Sequence, residues 1–119
     1  MKTLTLIQPW ASLIVDGKKT VETRSWPTKH RGLLAIHAGK KVDSAACIEF
    51  GYSPKTIVTG SILGTCEVRD CVEFPNAKTP PDPYGDFTNG RFGWILTNVK
   101  KFVAPKAAKG LLGLWESTI

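Results

Sequence analysis

The sequence is poor in the residues that build metal centres and disulfide frameworks. It has three cysteines, Cys47, Cys66 and Cys71, and two histidines, His30 and His37. The cysteine count is odd, none forms a C-x-x-C pair, and the histidines do not cluster with them. That spacing speaks against structural zinc and for buried free thiols. No apolar run reaches the length of a membrane span. The apolar part of Met1–Ile7 is too short and too interrupted for a signal peptide. An intracellular, cytoplasmic protein with no membrane partner is therefore expected. There is no P-loop, no G-x-G-x-x-G, no nucleophile elbow and no H-E-x-x-H. The acidic residues form no set suited to magnesium, so no metal and no cofactor is expected.

What is present is an ordinary globular composition. The chain has 119 residues, 42% hydrophobic and 22% charged. A single domain over residues 1–119 is expected, large enough to bury a core without disulfides. The charge is unevenly placed. Residues 1–41 carry eight Lys/Arg against two Asp/Glu, whereas residues 42–119 carry eight of each. The whole excess of +6 thus lies in the first third of the chain. Clustered cations favour a polyanionic partner, nucleic acid foremost.

Local patterns give the elements. Leu4–Ile7 alternates as a short strand, and Pro9 fits the first turn of a helix. Trp10, Leu13 and Ile14 form its apolar stripe, and Gly17 ends it. Thr20–Arg24 reads as a strand stopped by Pro27, and Gly32–His37 as a third, more buried strand. Asp43 or Ser44 caps a short helix over 45–50. A long β-like stretch covers 57–72, with Gly60 and Gly64 as bulges or close-approach points. The proline-rich stretch 75–90 is a loop. Phe92–Val99 is a strand, extending towards Phe102, followed by a basic loop from Pro105 to Gly110 and a closing strand over 111–115. Together these predict an α+β fold: a small mixed β-barrel of about six strands, with an N-terminal helix and a short second helix.

The chemistry-bearing stretch is Gly17-Lys18-Lys19-Thr20-Val21-Glu22-Thr23-Arg24. On a strand, Glu22, Arg24 and then Trp26 share one face. Lysine, glutamate, arginine and indole in one place can hold an anion and a flat ring together, as a nucleotide site must. Arg31 precedes the third strand, His37 ends it, and Lys40 and Lys41 follow it, all as candidate nucleic-acid contacts. Arg91, after Gly90, can reach over the same cleft. Tyr84 and Asp86 are candidates for a lid, while Trp94 and Trp115 fall in apolar phases and read as core.

Gln8-Pro9-Trp10, Gly17-x-Lys19-x-x-Glu22-x-Arg24-Ser25-Trp26 and His30-Arg31-Gly32 together resemble the ASCH domain family, related to the PUA-like RNA-binding folds. The G-x-K-x-x-E-x-R signature is met at all of its fixed positions. The flanking elements are similar to the branch of the activating-signal-cointegrator domain. Gly90-Arg91-Phe92, Trp94 and Lys109–Trp115 extend the resemblance to nearly the whole chain. It implies a PUA-like barrel with a cleft where the signature residues gather. It also implies either RNA binding or metal-independent hydrolysis of RNA or of an acylated cytidine, with Lys19 as the candidate catalytic residue and Glu22 its partner. Two departures stand out. Glu22 occupies a position that is threonine in the acylcytidine hydrolases, and no helix appears in 73–91 to supply their further acidic residue.

Three readings follow. The first is a non-enzymatic domain for single-stranded RNA or a modified nucleotide. Its contacts would be Lys19, Glu22, Arg24, Trp26, Arg31, His37, Lys40, Lys41 and Arg91; DNA meets the same charge requirement. The second is the hydrolase. The third is a docking module for an acidic protein.

Overall fold

The computed structural model describes residues 1–119. In chain order the elements are β1 (Lys2–Gln8), α1 (Trp10–Val15), β2 (Val21–Arg24), β3 (Gly32–Val42), α2 (Ser44–Glu49), β4 (Ser61–Glu73), β5 (Phe92–Ala107) and β6 (Leu114–Glu116). The strands form one six-stranded sheet in the order β2-β5-β4-β3-β1-β6. Every neighbour pair is antiparallel except β1 with β3. That parallel pair needs a crossover, which α1 and β2 supply. No helix is long and apolar enough to cross a membrane.

Each helix has the ends its sequence encodes. Asp43 accepts from the Ala46 N–H at 3.0 Å and caps α2. Gly17, at φ +79°, takes the left-handed turn after α1, which a residue with a Cβ rarely adopts. The short α1 lies against β1, β3, β4 and β5. It buries Leu13 and Ile14 completely, alongside the strand residues Leu4, Leu34, Ile36, Val68 and Trp94. Truncating a fully buried leucine or isoleucine of this kind to alanine costs about 2–5 kcal/mol.

The passage from β1 into α1 is fixed by Gln8. Its side chain is fully buried. Its Oε1 accepts from the Ser12 N–H at 3.0 Å, and its Nε2 donates to Ser12 Oγ at 2.8 Å and to the Val58 carbonyl at 2.7 Å. One amide thus holds the first turn of α1 and the loop before β4.

The expected barrel does not form: the sheet is open, and β2 and β1 share no ladder. The reason is local. β2 is only four residues long, and all of them pair with Phe92–Ile95 of β5. Across the gap the Arg24 Nη2 on β2 donates to the Thr5 carbonyl on β1 at 3.1 Å. A side chain spans the seam where a barrel would have main-chain bonds. On the edge of β1 away from β3, β6 reaches only Lys2–Leu4.

Other boundaries also shift. β4 starts at Ser61, so 57–60 is loop, while the close approach at Gly64 is real: a Cβ there would stand 2.3 Å from the Lys100 carbonyl oxygen. β5 runs through Pro105 to Ala107 instead of ending near Phe102. Pro105 is tolerated because it falls in an irregularity of the β4 ladder, between the paired Lys101 and Lys106, and because β2 covers β5 only as far as Ile95. The closing strand is shorter than the expected 111–115, beginning at Leu114. The three thiols are free, Cys47 and Cys66 buried. Burial pushes the Cys66 thiol up to about 12, so it stays protonated and inert.

Candidate nucleic-acid interface

The seam between β1 and β2 opens into a hollow of about 540 Å³. It falls within the size range of small-ligand sites, roughly 300–1,000 Å³. Its walls come from β1, from Trp10 at the start of α1, from Lys19 after the helix, from β2 with Trp26, and from the 83–91 loop.

Lys19 enters first. After Gly17 the chain folds back, and the N–H groups of Lys18 and Lys19 both donate to the Leu13 carbonyl at 3.0 Å. This turns the Lys19 side chain inward, where it is 1% exposed. Its Nζ donates to the Tyr84 carbonyl at 2.6 Å, stands 3.5 Å from Glu22 Oε1, and lies 5.7 Å from the centre of the Trp10 ring. Burial pulls its pKa below 10.5, partly opposed by the charge of Glu22.

Glu22 is also buried, directly across from Trp94 in the β2–β5 ladder. Its second carboxylate oxygen lies 2.8 Å from Arg24 Nε. That N–H does not point along the contact and has no aligned acceptor. The pairing is therefore Coulombic, with the directed bond of Arg24 going to Thr5. The Arg24 guanidinium also lies 6.0 Å from the centre of the Trp26 ring. Trp26 is half-buried, edge-on to Trp94 at 5.0 Å, and the Trp94 indole N–H donates to the Trp26 carbonyl at 3.4 Å.

The 83–91 loop forms the far wall. The Asp86 N–H donates to Thr23 Oγ1 at 3.0 Å. Arg91 Nε donates to the Asp86 carbonyl at 3.2 Å and lies 3.4 Å from its carboxylate. Tyr84 packs on Phe50 at 5.1 Å, and Phe50 on Trp10 at 5.8 Å. Thus Tyr84 and Asp86 sit in a strap tied to β2.

Of the expected contact residues, the structure brings Lys19, Glu22, Arg24, Trp26 and Arg91 together in this hollow. Arg31 lies outside it. Its Nη1 donates to the Thr28 and His30 carbonyls, and Nη2 stands 3.7 Å from Asp70. His37 also lies outside this hollow: it is buried, lines a neighbouring hollow, and has Nε2 2.6 Å from the Ala108 carbonyl and Nδ1 3.1 Å from Thr5 Oγ1. Lys40 and Lys41 are exposed beside a second hollow. Trp94 is core as expected, while Trp115 is half-buried and bonded through its indole N–H to Thr5 Oγ1 at 3.0 Å. Trp10, expected mainly in the core with its indole edge within reach of the cleft, packs against the core cluster and also lines the cleft. Thr23 also lines it without any signal in the strand pattern, since alternation puts it on the face opposite Glu22. No three His, Cys, Asp or Glu side chains converge as a metal set would.

The family model described as the ASCH domain matches residues 4–106. The chain is 31% identical to activating signal cointegrator 1 of Homo sapiens and 30% identical to that of Mus musculus, in each case over 95% of its own length. It spans only about 22% of the length of these relatives. Among solved structures, ASCH from Zymomonas mobilis and a point mutant of the same protein superpose with TM-scores of 0.57 at 18% identity. The superpositions cover 89% of this chain, with 72% of the first structure and 74% of the mutant. At that identity the likeness concerns the fold.

Proposed function

This chain belongs to the ASCH domain family, and from that premise we propose that it binds single-stranded nucleic acid, RNA above DNA, through the cleft between β1 and β2. The observation that carries the reading is the joint lining of one open hollow by Trp10, Trp26 and Tyr84 together with Lys19, Arg24 and Arg91. Aromatic faces accept an unstacked base, and the accessible cations Arg24 and Arg91 accept the phosphates beside it, with Lys19 as a buried charge behind them. Trp26 is the stacking residue: it is anchored edge-on to Trp94, so its position is fixed before a guest arrives. Glu22 serves as the internal counter-ion that keeps Lys19 and Arg24 in place. Its carboxylate is held by both cations, which argues against a role as a free acceptor for a base.

Fluorescence anisotropy with a labelled single-stranded oligoribonucleotide at low salt tests this. Stacking on an aromatic side chain is worth about 1–3 kcal/mol per base. Trp26→Ala is therefore expected to weaken binding about tenfold or more, with Trp26→Phe retaining most of it. Absence of binding to RNA and DNA alike, or indifference to Trp26→Ala in a folded variant, overturns the reading.

One observation favours the hydrolase as a second reading: burial depresses the Lys19 pKa, which would favour a neutral amine. Against it, the Nζ is enclosed and already donates to the Tyr84 carbonyl. Turnover of RNA or acylated nucleosides in EDTA, lost in Lys19→Ala and kept in Lys40→Ala, would establish it.

A further inference from the structure

The charges of the signature cleft are largely spent on one another. Lys19 and Arg24 share Glu22, and Arg91 faces Asp86. A second hollow, of about 1,160 Å³, continues from the first, and the two share Thr5, Leu6, Ile7 and Arg24 as lining. Its charged side chains are of the opposite character. Lys40, Lys41 and Lys109 line it together with Arg24, and no Asp or Glu does. None of those three lysines takes part in an ion pair.

This hollow has a fixed back wall. The Trp115 indole N–H donates to Thr5 Oγ1, which leaves the Thr5 hydroxyl hydrogen free for His37 Nδ1. His37 Nε2–H then donates to the Ala108 carbonyl at 2.6 Å. Gly110 presses against the same ring: a Cβ there would lie 2.7 Å from His37 Cε1. The segment carrying Lys109 is thereby pinned opposite Lys40 and Lys41, and His37 acts as its positioning residue.

We infer that the Lys40–Lys41–Lys109 hollow is a phosphodiester subsite for the strand whose base occupies the Trp26 cleft. The inference rests on the reading given above and deepens it. A nucleic-acid strand leaving the cleft crosses the exposed Ile7 and the Arg24 rim, then meets uncompensated cations. The cleft selects for an unstacked base, while the second hollow supplies the salt-dependent attraction. The occupant is thus an oligonucleotide, with a mononucleotide too short to reach both parts.

The test compares wild type, Trp26→Ala and the triple variant Lys40→Ala/Lys41→Ala/Lys109→Ala. Each is titrated with oligouridylates of increasing length over a range of KCl concentrations. The substituted lysines are exposed, so unfolding curves should match wild type. Neutralising phosphates on a single strand contributes about −0.7 per phosphate to the slope of log K against log salt. The triple variant should therefore lose about 2 units of slope and most of the gain in affinity with length. For wild type those roughly 2 units amount to an extra fall of about 20-fold in affinity between about 50 and about 200 mM salt. Trp26→Ala should weaken binding at every salt concentration and leave the slope intact. An unchanged slope in the triple variant, alongside weakened binding in Trp26→Ala, overturns this subsite and leaves the cleft reading standing. Wild type binding no oligonucleotide at all overturns both. Wild type binding polyglutamate as tightly as RNA at matched salt also overturns it, pointing to an acidic protein as the occupant.

Discussion

Lys19 Nζ and the Tyr84 carbonyl oxygen meet at 2.6 Å across 65 positions of sequence, tying the end of α1 to the strap over the cleft. Burial depresses the pKa of this lysine below 10.5. Between its folded value and its unfolded value the unfolded chain therefore binds more protons. Stability must rise with pH across that window and level off once the unfolded lysine also loses its proton. Lys19→Met removes this contribution. Urea unfolding at several alkaline pH values should show wild type gaining stability relative to Lys19→Met as pH approaches 10.5; parallel curves would contradict the assignment.

Glu22→Gln leaves Lys19 and Arg24 without their shared counter-charge in a largely dry site. Removing one partner of a buried pair costs about 3 kcal/mol, read as a lower urea midpoint at unchanged m-value. The double variant Lys19→Met/Glu22→Gln should fall short of the sum of the single effects by at least about 1 kcal/mol, since the residues share one network. Strict additivity would mean that the pair is not coupled.

Arg31 and Arg91 should behave differently although both are arginines after the signature. Arg31 is engaged with Asp70 and two local carbonyls outside both hollows, so Arg31→Ala should shift RNA affinity by less than about twofold and stability by about 0.5 kcal/mol. Arg91 lines the cleft and holds the strap through Asp86. Loss of one charged hydrogen bond, about 1.5 kcal/mol, corresponds to about a tenfold weaker complex for Arg91→Ala. Side-by-side anisotropy titrations decide between these ranks.

Gln8→Ala removes a buried amide that holds both α1 and the Val58 loop. Orphaning these backbone and hydroxyl partners costs about 2–3 kcal/mol. For a domain of this size the thermal midpoint should drop by roughly 8–12 °C. A calorimetric scan with no shift would show that another group takes over these bonds.

Much of this arrangement is legible in the sequence because it is written in local patterns. Glu22 and Arg24 share a face through strand alternation, Gly17 ends α1 through its backbone freedom, and Asp43 caps α2 through its carboxylate. The rest depends on contacts between distant segments. Nothing near His37 in sequence reveals that Ala108 and Gly110 pack against it. Arg31 sits beside the signature in sequence, yet the direction of β3 takes it away towards Asp70. Lys109 looks like one more cation in a basic loop until the fold sets it beside Lys40 and Lys41. The barrel fails as an expectation because strand count alone does not say whether the outermost strands meet.

That unclosed edge has a mechanical meaning. A lone guanidinium makes the one side-chain hydrogen bond from β2 to β1, worth about 2 kcal/mol, and no ladder joins the two strands. A zipped barrel would have to surrender a row of such bonds to admit anything of comparable girth. In the proposed complex, Arg24 Nη2 is thus the group that an oxygen of the guest would compete for against the Thr5 carbonyl.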